Sequence, residues 1–289
     1  MSQLNTYSDV SSIANAMQEN AFFVIRETAQ MQSYVRMFSD MTGANPRKGY
    51  QYNQATALTL NESDDMTSAA FTPSVLSTLT PAEIGLPFFI SDLRADSELP
   101  ESIIRDGALE LGLAASDKIE SDIVGDFASL TGGTVGTAGS VITWSYVAAG
   151  IARARNANKS VNVPLAYVLH GYQWAVLAKA ASIAGATLSQ APGFTQAVTT
   201  QAPIGQVATF MGVPMYQTFQ AADASDDFKG AIFPQDALAI DWRRPIRIEP
   251  ERKASRRGTQ YNMSAVYAHG VWRPALGVQM IFDASAPSS

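Results

Sequence analysis

Apolar residues three and four positions apart mark several stretches of this chain as helical. Over residues 10–41, Val10, Ile13, Met17, Ala21, Val24, Met31, Val35, Phe38 and Met41 keep that step, with Thr28 the one polar gap. The spacing predicts an amphipathic helix that Gly43 and Pro46 stop. The clearest pattern lies at 101–130, where Ile104, Ala108, Leu111, Ala115, Ile119, Ile123, Phe127 and Leu130 fall on one stripe. Pro100 suits the first turn of that helix and Gly132-Gly133 its far end. A helix of this length would run roughly 45 Å. Its other faces carry Asp106, Glu110, Asp117, Glu120 and Asp122, so it reads as a one-sided spine. Trp144, Val147, Ala148 and Ile151 predict a further helix, and Trp174, Leu177 and Ala181 another that Gly185 ends.

Elsewhere the period is that of strands, or is lost. From Ala44 to Leu93 the helical step disappears; Tyr50–Leu60 alternates in part, and Thr72–Leu79 is rich in β-formers. The polar run Asn61-Glu-Ser-Asp-Asp65 between them predicts a loop tip. Large apolar side chains are scarce here until Leu86-Pro-Phe-Phe-Ile90, so this excursion has too little to form a core and must lean on something else. Pro164–Leu169 predicts a short strand, and Val207–Thr218, broken by Gly212 and Pro214, a strand pair. Together with the two helices they outline an α/β module, within which 186–204 is polar and poorly patterned. Strand alternation returns at Pro245–Glu249, Tyr261–His269 and Gly277–Phe282, with a basic turn, Glu251–Gly258, between the first two.

Composition narrows the function classes. With 289 residues, 46% hydrophobic and 16% charged, the chain can bury a core as one large domain or two modest ones. The absence of cysteine removes disulfides, thiolate zinc sites and thiol catalysis together. The N-terminus lacks a secretory signal and no apolar run is long enough to span a bilayer, so a soluble protein with no membrane partner is expected. The net charge of −6 conceals an asymmetry. Fourteen acidic residues lie between Glu62 and Asp126 against three basic ones, while seven basic residues crowd Arg243–Arg257. Such polarity can guide one part of a chain onto another, in the same molecule or a neighbour. Overall acidity argues against tight general binding of nucleic acid.

Catalytic readings find little footing. His170 and His269 are the only histidines and form no metal-ligand pair; G-x-S-x-G is absent. The glycine cluster at 132–139 lacks the G-K-[S/T] ending of a phosphate loop and follows a helix, so it reads as a flexible joint. His170 ends a short apolar run before a helix, a corner where catalytic groups often sit. The plainer reading is a polar residue satisfying that turn.

Taken in order, these segments resemble a known family. A helical arm, a long β excursion, a spine helix, an α/β module and a returning β tail occur in the sequence of the major capsid proteins of tailed bacteriophages. Local likenesses are Ile84-Gly-Leu-Pro-Phe-Phe-Ile-Ser-Asp92, Tyr167-Val-Leu-His-Gly-Tyr-Gln-Trp174, Gly230-Ala-Ile-Phe-Pro-Gln-Asp-Ala-Leu-Ala239 and Tyr267-Ala-His-Gly-Val-Trp-Arg-Pro-Ala-Leu-Gly-Val278. The resemblance spans nearly the whole chain and rests on order, no single motif being diagnostic.

The resemblance implies an α+β chain with the Hong Kong 97-type fold. It implies an N-terminal arm at 1–43, an extended loop at 44–80, a peripheral domain at 81–144 and 241–289, and an axial domain at 145–240. It further implies a non-enzymatic virion protein without cofactors, assembled in the host bacterial cytoplasm. Its partners would be itself, in hexamers and pentamers, a separate scaffolding protein, a portal, weakly held double-stranded DNA and, left open, decoration proteins. Maturation in the family exchanges one packing for another, and the 132–139 joint and the loop bases near Gly43 and Gly85 are the expected places to absorb it. Charge asymmetry adds a subunit-interface expectation: the acidic tip Glu62, Asp64 and Asp65 lies near Arg252, Lys253, Arg256 or Arg257 of a neighbouring copy. The alternative for that basic turn is an inward patch facing packaged DNA. Lys48 is a possible loop lysine for the isopeptide cross-link of some relatives, but no asparagine follows Asn262, so no cross-link is expected. The alternatives for the whole chain are an encapsulin-like nanocompartment shell and an α/β hydrolase-like enzyme using His170.

Overall fold

The computed structural model describes residues 31–40, 42–57, 59–62, 70–93, 100–183, 194–196, 206–219 and 226–286. Its longest helix, α1 (Pro100–Gly125), begins at the proline as expected and runs 26 residues, about 39 Å at 1.5 Å per residue. It gives way to a 3-10 turn, Asp126–Ser129, and Leu130 is extended. Leu111, Ala115, Ile119 and Ile123, spaced four apart along α1, are buried, and Phe127 and Leu130 continue the stripe beyond it.

That stripe meets two sheets in succession. The first has four strands in the order β1 (Arg36–Phe38), β11 (Leu238–Lys253), β12 (Gly258–Val271), β4 (Ala82–Ser91). Leu111 and Ala115 pack into it with Ile246, Ile248, Tyr261 and Met263. Gly107 lets β4 come close, since a Cβ there would stand 2.6 Å from the Phe88 ring. Farther along, Ile119, Ile123, Phe127 and Leu130 join Val168, Phe233, Ile240 and Tyr267 in a core shared with the second sheet. One helix therefore ties both halves of the molecule together.

The second sheet has seven strands, in the order β5 (Thr134–Val135), β13 (Val278–Asp283), β10 (Asp227–Pro234), β6 (Leu165–His170), β9 (Val213–Thr218), β8 (Gln206–Phe210), β7 (Phe194–Gln196). Helices α2 (Trp144–Asn158) and α3 (Gly171–Ile183) accompany it, and Val147, Ile151 and Leu177 pack with Tyr167, Ile232, Val278, Met280 and Phe282. A separate hairpin, β2 (Arg47–Tyr52) with β3 (Pro73–Leu79), completes the sheets among the described residues.

Three expectations change. The helix foreseen through residue 41 lies mostly outside the described residues, but its described end is a 3-10 turn, Met31–Tyr34, followed by β1. Met31 and Val35 are buried as the pattern implied; parallel pairing of Arg36–Phe38 with Ala239–Asp241 captures the rest as strand. The tail does not return as one group. β12 pairs with β4 and β11, whereas β13 crosses to the seven-stranded sheet because Val278, Met280 and Phe282 alternate into the core around α2. The glycine-rich joint is bonded on both sides. Gly132 donates to the Gly277 carbonyl at 2.9 Å, Gly133 accepts from Gln279 at 2.9 Å, and Gly139 donates to Asp227 at 2.6 Å. A Cβ on Gly132 would meet two carbonyl oxygens at 2.5 Å, so glycine is needed there for close approach.

Candidate subunit-interface site

The β2–β3 hairpin is built in two unlike halves. Its root is clamped to the four-stranded sheet. Leu79 is buried with Ala239 and Ala268 beneath Phe38 and Trp272, and Gly49 lies so near Trp272 that a Cβ would meet its ring at 3.2 Å. Arg47 sends its Nε–H to Asp241 Oδ2 at 2.8 Å, bonds Asp40 as well, and stacks 4.3 Å over the Phe38 ring. Arg243 approaches the same Asp241 oxygen at 2.8 Å. It stands where β11 slips register against β12, between Trp242 and Arg244. Asp241 and Arg243 are both buried. The bulge thus turns a second guanidinium inward, and two cations share one buried carboxylate.

Among the described residues, nothing covers the outer half. Tyr50 stands opposite Val75, and Tyr52 opposite Pro73. Cross-strand partners and alternate residues point the same way, so these form one face. Phe71 extends it by stacking on Tyr52 with ring centres 5.0 Å apart. Tyr50, Tyr52, Phe71 and Val75 remain 62%, 54%, 66% and 52% exposed. A two-stranded hairpin is marginally stable in water, and contiguous exposed aromatics mark a contact surface.

The residues singled out from charge are only partly brought together. Arg252, Lys253, Arg256 and Arg257 do form one tip, where β11 turns into β12 through Ala254–Arg256. Arg252 grips Asp92 with both nitrogens, at 2.5 and 2.7 Å; that bond holds the exposed Asp92 carboxyl below its ordinary range. Lys253 is bonded to Glu251, and Arg256 lies 5.6 Å over the Phe89 ring. Arg257 adopts the left-handed conformation, φ 50°, and its carbonyl accepts from Asp92 N–H at 2.9 Å. Two of the four cations are thus engaged within their own chain, and among the described residues Arg256 and Arg257 have no ion pair. Glu62 is exposed; Asp64 and Asp65 lie outside the described residues.

Sequence reading passed over Arg47, Asp241 and the Tyr50–Phe71 face. Charges at Asp241 and Arg243 within the apolar run Leu238-Ala-Ile-Asp-Trp-Arg243 were the available sign of a buried pair. Tyr50 and Tyr52, two apart, were that of an aromatic face.

His170 serves its corner. Its Nδ1 accepts from Tyr172 N–H at 3.2 Å, and its own N–H donates to Gln173 Oε1 at 3.2 Å. Gln173 in turn donates to the carbonyls of Phe228 and Phe282, at 3.2 and 2.9 Å. The network fastens the start of α3 across β6, β10 and β13. Burial holds the His170 pKa below its ordinary 6.5, so the imidazole is neutral near pH 7. Among the described residues no cluster of three or more His, Cys, Asp or Glu could hold a metal ion, and no helix is long and apolar enough to cross a membrane.

No protein-family model matches the sequence, and no curated protein matches it. Solved structures do match by fold. The capsid of Ralstonia phage GP4 aligns with a TM-score of 0.66 at 8% identity, covering 89% of this chain and 88% of that one. The head structure of Helicobacter pylori bacteriophage KHP40 gives 0.63 at 12% identity, with 87% of each covered. The SrpI encapsulin of Synechococcus elongatus gives 0.68 at 10% identity, covering 90% and 89%. The chain therefore has the Hong Kong 97-type fold, in the mixed α+β form expected.

Proposed function

We propose that this chain is a major capsid protein, a structural and non-enzymatic subunit. Copies close into hexamers and pentamers that tile an icosahedral shell around phage DNA. The observation that carries the reading is the β2–β3 hairpin: firmly rooted, aromatic on one face, and left exposed by the described residues of its own chain. A face of that kind is completed by a neighbour, and contacts between unlike surfaces close into rings when the rotation permits. The fold, shared with phage capsids, supports it. On this reading 44–80 is the extended loop, most of 81–144 and of 241–289 the peripheral domain, and 145–240, joined by β5 and β13, the axial domain. The tip Glu62, Asp64 and Asp65 meets Arg256 and Arg257 of another copy, the cations least engaged within the chain. A separate scaffolding protein and a portal are the further partners, and the virion, assembled in the bacterial cytoplasm, is the location.

Electron microscopy of the purified protein, with nuclease digestion of its contents, tests this. Closed shells with five- and six-fold capsomers, protecting DNA when taken from phage-producing cells, are expected; a protein that stays monomeric at all concentrations contradicts it. The TM-score of 0.68 to an encapsulin favours a second reading, a cellular nanocompartment, in which the same shells would enclose a cargo protein in place of DNA.

A further inference from the structure

The far end of α1 meets β12 through a compact set of charges. Lys118, Asp122 and Asp126 are four residues apart and share one face, while Tyr267 and His269 stand two apart on the strand. Tyr267 donates its hydroxyl to Asp122 Oδ2 at 2.6 Å, and Lys118 reaches the other oxygen of Asp122 at 2.5 Å. His269 Nδ1 lies 2.9 Å from Asp126 Oδ2, and its Nε2 lies 3.7 Å from Asp122 Oδ2. Across the sheet its partner on β11 is Ile240, which brings no charge.

We infer that His269 is a proton-operated latch fastening the C-terminal end of α1 to β12. With the imidazole neutral, two carboxylates face one ammonium. The negative end of the helix dipole adds to the excess, and the last turn of α1 holds no basic residue. Protonation of His269 balances the cluster and lets one ring pair with both carboxylates. The neutral ring makes at most one strong bond, to Asp126. At 33% side-chain exposure the ring exchanges protons with solvent. Because the buried stripe of α1 packs against both sheets, the latch bears on how the two halves are held.

The sign follows from the same contacts. The bond to Asp126 holds the His269 pKa above its ordinary 6.5. Stabilisation is therefore complete below the unfolded value and lost as pH rises through the folded one.

The test is thermal unfolding of the full-length protein between about pH 6 and about pH 8.5, with hydrogen exchange over residues 118–129. Over that rise the wild-type midpoint should fall by about 2–4 °C more than that of His269→Gln. Exchange, corrected for its intrinsic pH dependence, should quicken in the wild type alone. Asp126→Asn keeps the imidazole and removes its partner, so it should flatten both responses; should His269→Gln fold poorly, this variant decides. Parallel pH profiles in the wild type and Asp126→Asn, or exchange at 118–129 indifferent to pH, would overturn the latch. Both readouts lie within one chain, so their failure leaves the shell reading standing.

Discussion

Arg47, the first residue of β2, donates to Asp241 at 2.8 Å across 194 positions of sequence. With the packing of Leu79, this bond helps fix the hairpin root to the first part of β11. Asp241 is fully buried and Arg47 nearly so, and desolvated ions are tolerated only when paired. Removing the guanidinium by Arg47→Ala should destabilise the chain by about 3 kcal/mol, Arg243 still offsetting part of the loss. Arg47→Lys, keeping charge without the fork, should cost less. Denaturant unfolding measures both.

The outer face of the hairpin should behave oppositely. Tyr50→Ser with Tyr52→Ser changes only exposed side chains, so monomer stability should move by no more than about 0.5 kcal/mol per site. Assembly, followed by sedimentation velocity, should fall by an order of magnitude or more if that face docks on another copy. Intact assembly in this variant would place the contact elsewhere.

At the basic tip, reversal of Arg256 and Arg257 to Glu should impair particle formation while leaving unfolding unchanged. Exposed pairs contribute about 0–1 kcal/mol each, so the effect should be largest at low salt. Arg252→Ala acts within the chain by freeing Asp92, and should perturb local exchange at Asp92 and the Ala254–Arg257 turn more than assembly. Normal assembly of the double reversal at low salt would remove the charge pairing from the account.

His170 should give a pH dependence opposite to that of His269. Burial depresses its folded pKa, so its contribution is present above the unfolded value near 6.5 and lost as pH falls through the folded one. In a His269→Gln background His170 is the one histidine left. The unfolding midpoint should then fall on acidification below about pH 6.5, and a midpoint that rises would contradict the buried-neutral assignment.

What was legible in the sequence followed the strength of each local signal. The stripe from Leu111 to Leu130 placed α1 within a few residues, because Leu111, Ala115, Ile119, Ile123, Phe127 and Leu130 are all buried. The β8–β9 pair was readable from Gly212 at its turn, where φ is +77°. Strand β10 was missed because Phe228, Ala231, Ile232 and Phe233 are all buried, leaving a run without alternation, as in any strand covered on both faces. The passage of β13 into the larger sheet depends on which core accepts Val278, Met280 and Phe282, and that is a tertiary choice. The interface expectation rested on net charge alone, which cannot distinguish Arg252, committed to Asp92, from Arg256, which is not.

The claim beneath all of this is that the aromatic side of β2–β3 is covered by a sister copy. Cryo-electron microscopy of the assembled protein, at a resolution that traces side chains, examines it most directly. Tyr50, Tyr52 and Phe71 of one copy should lie buried against an adjacent copy in every capsomer. Shells in which those rings remain open to solvent, or a protein that forms no shell, would contradict the account.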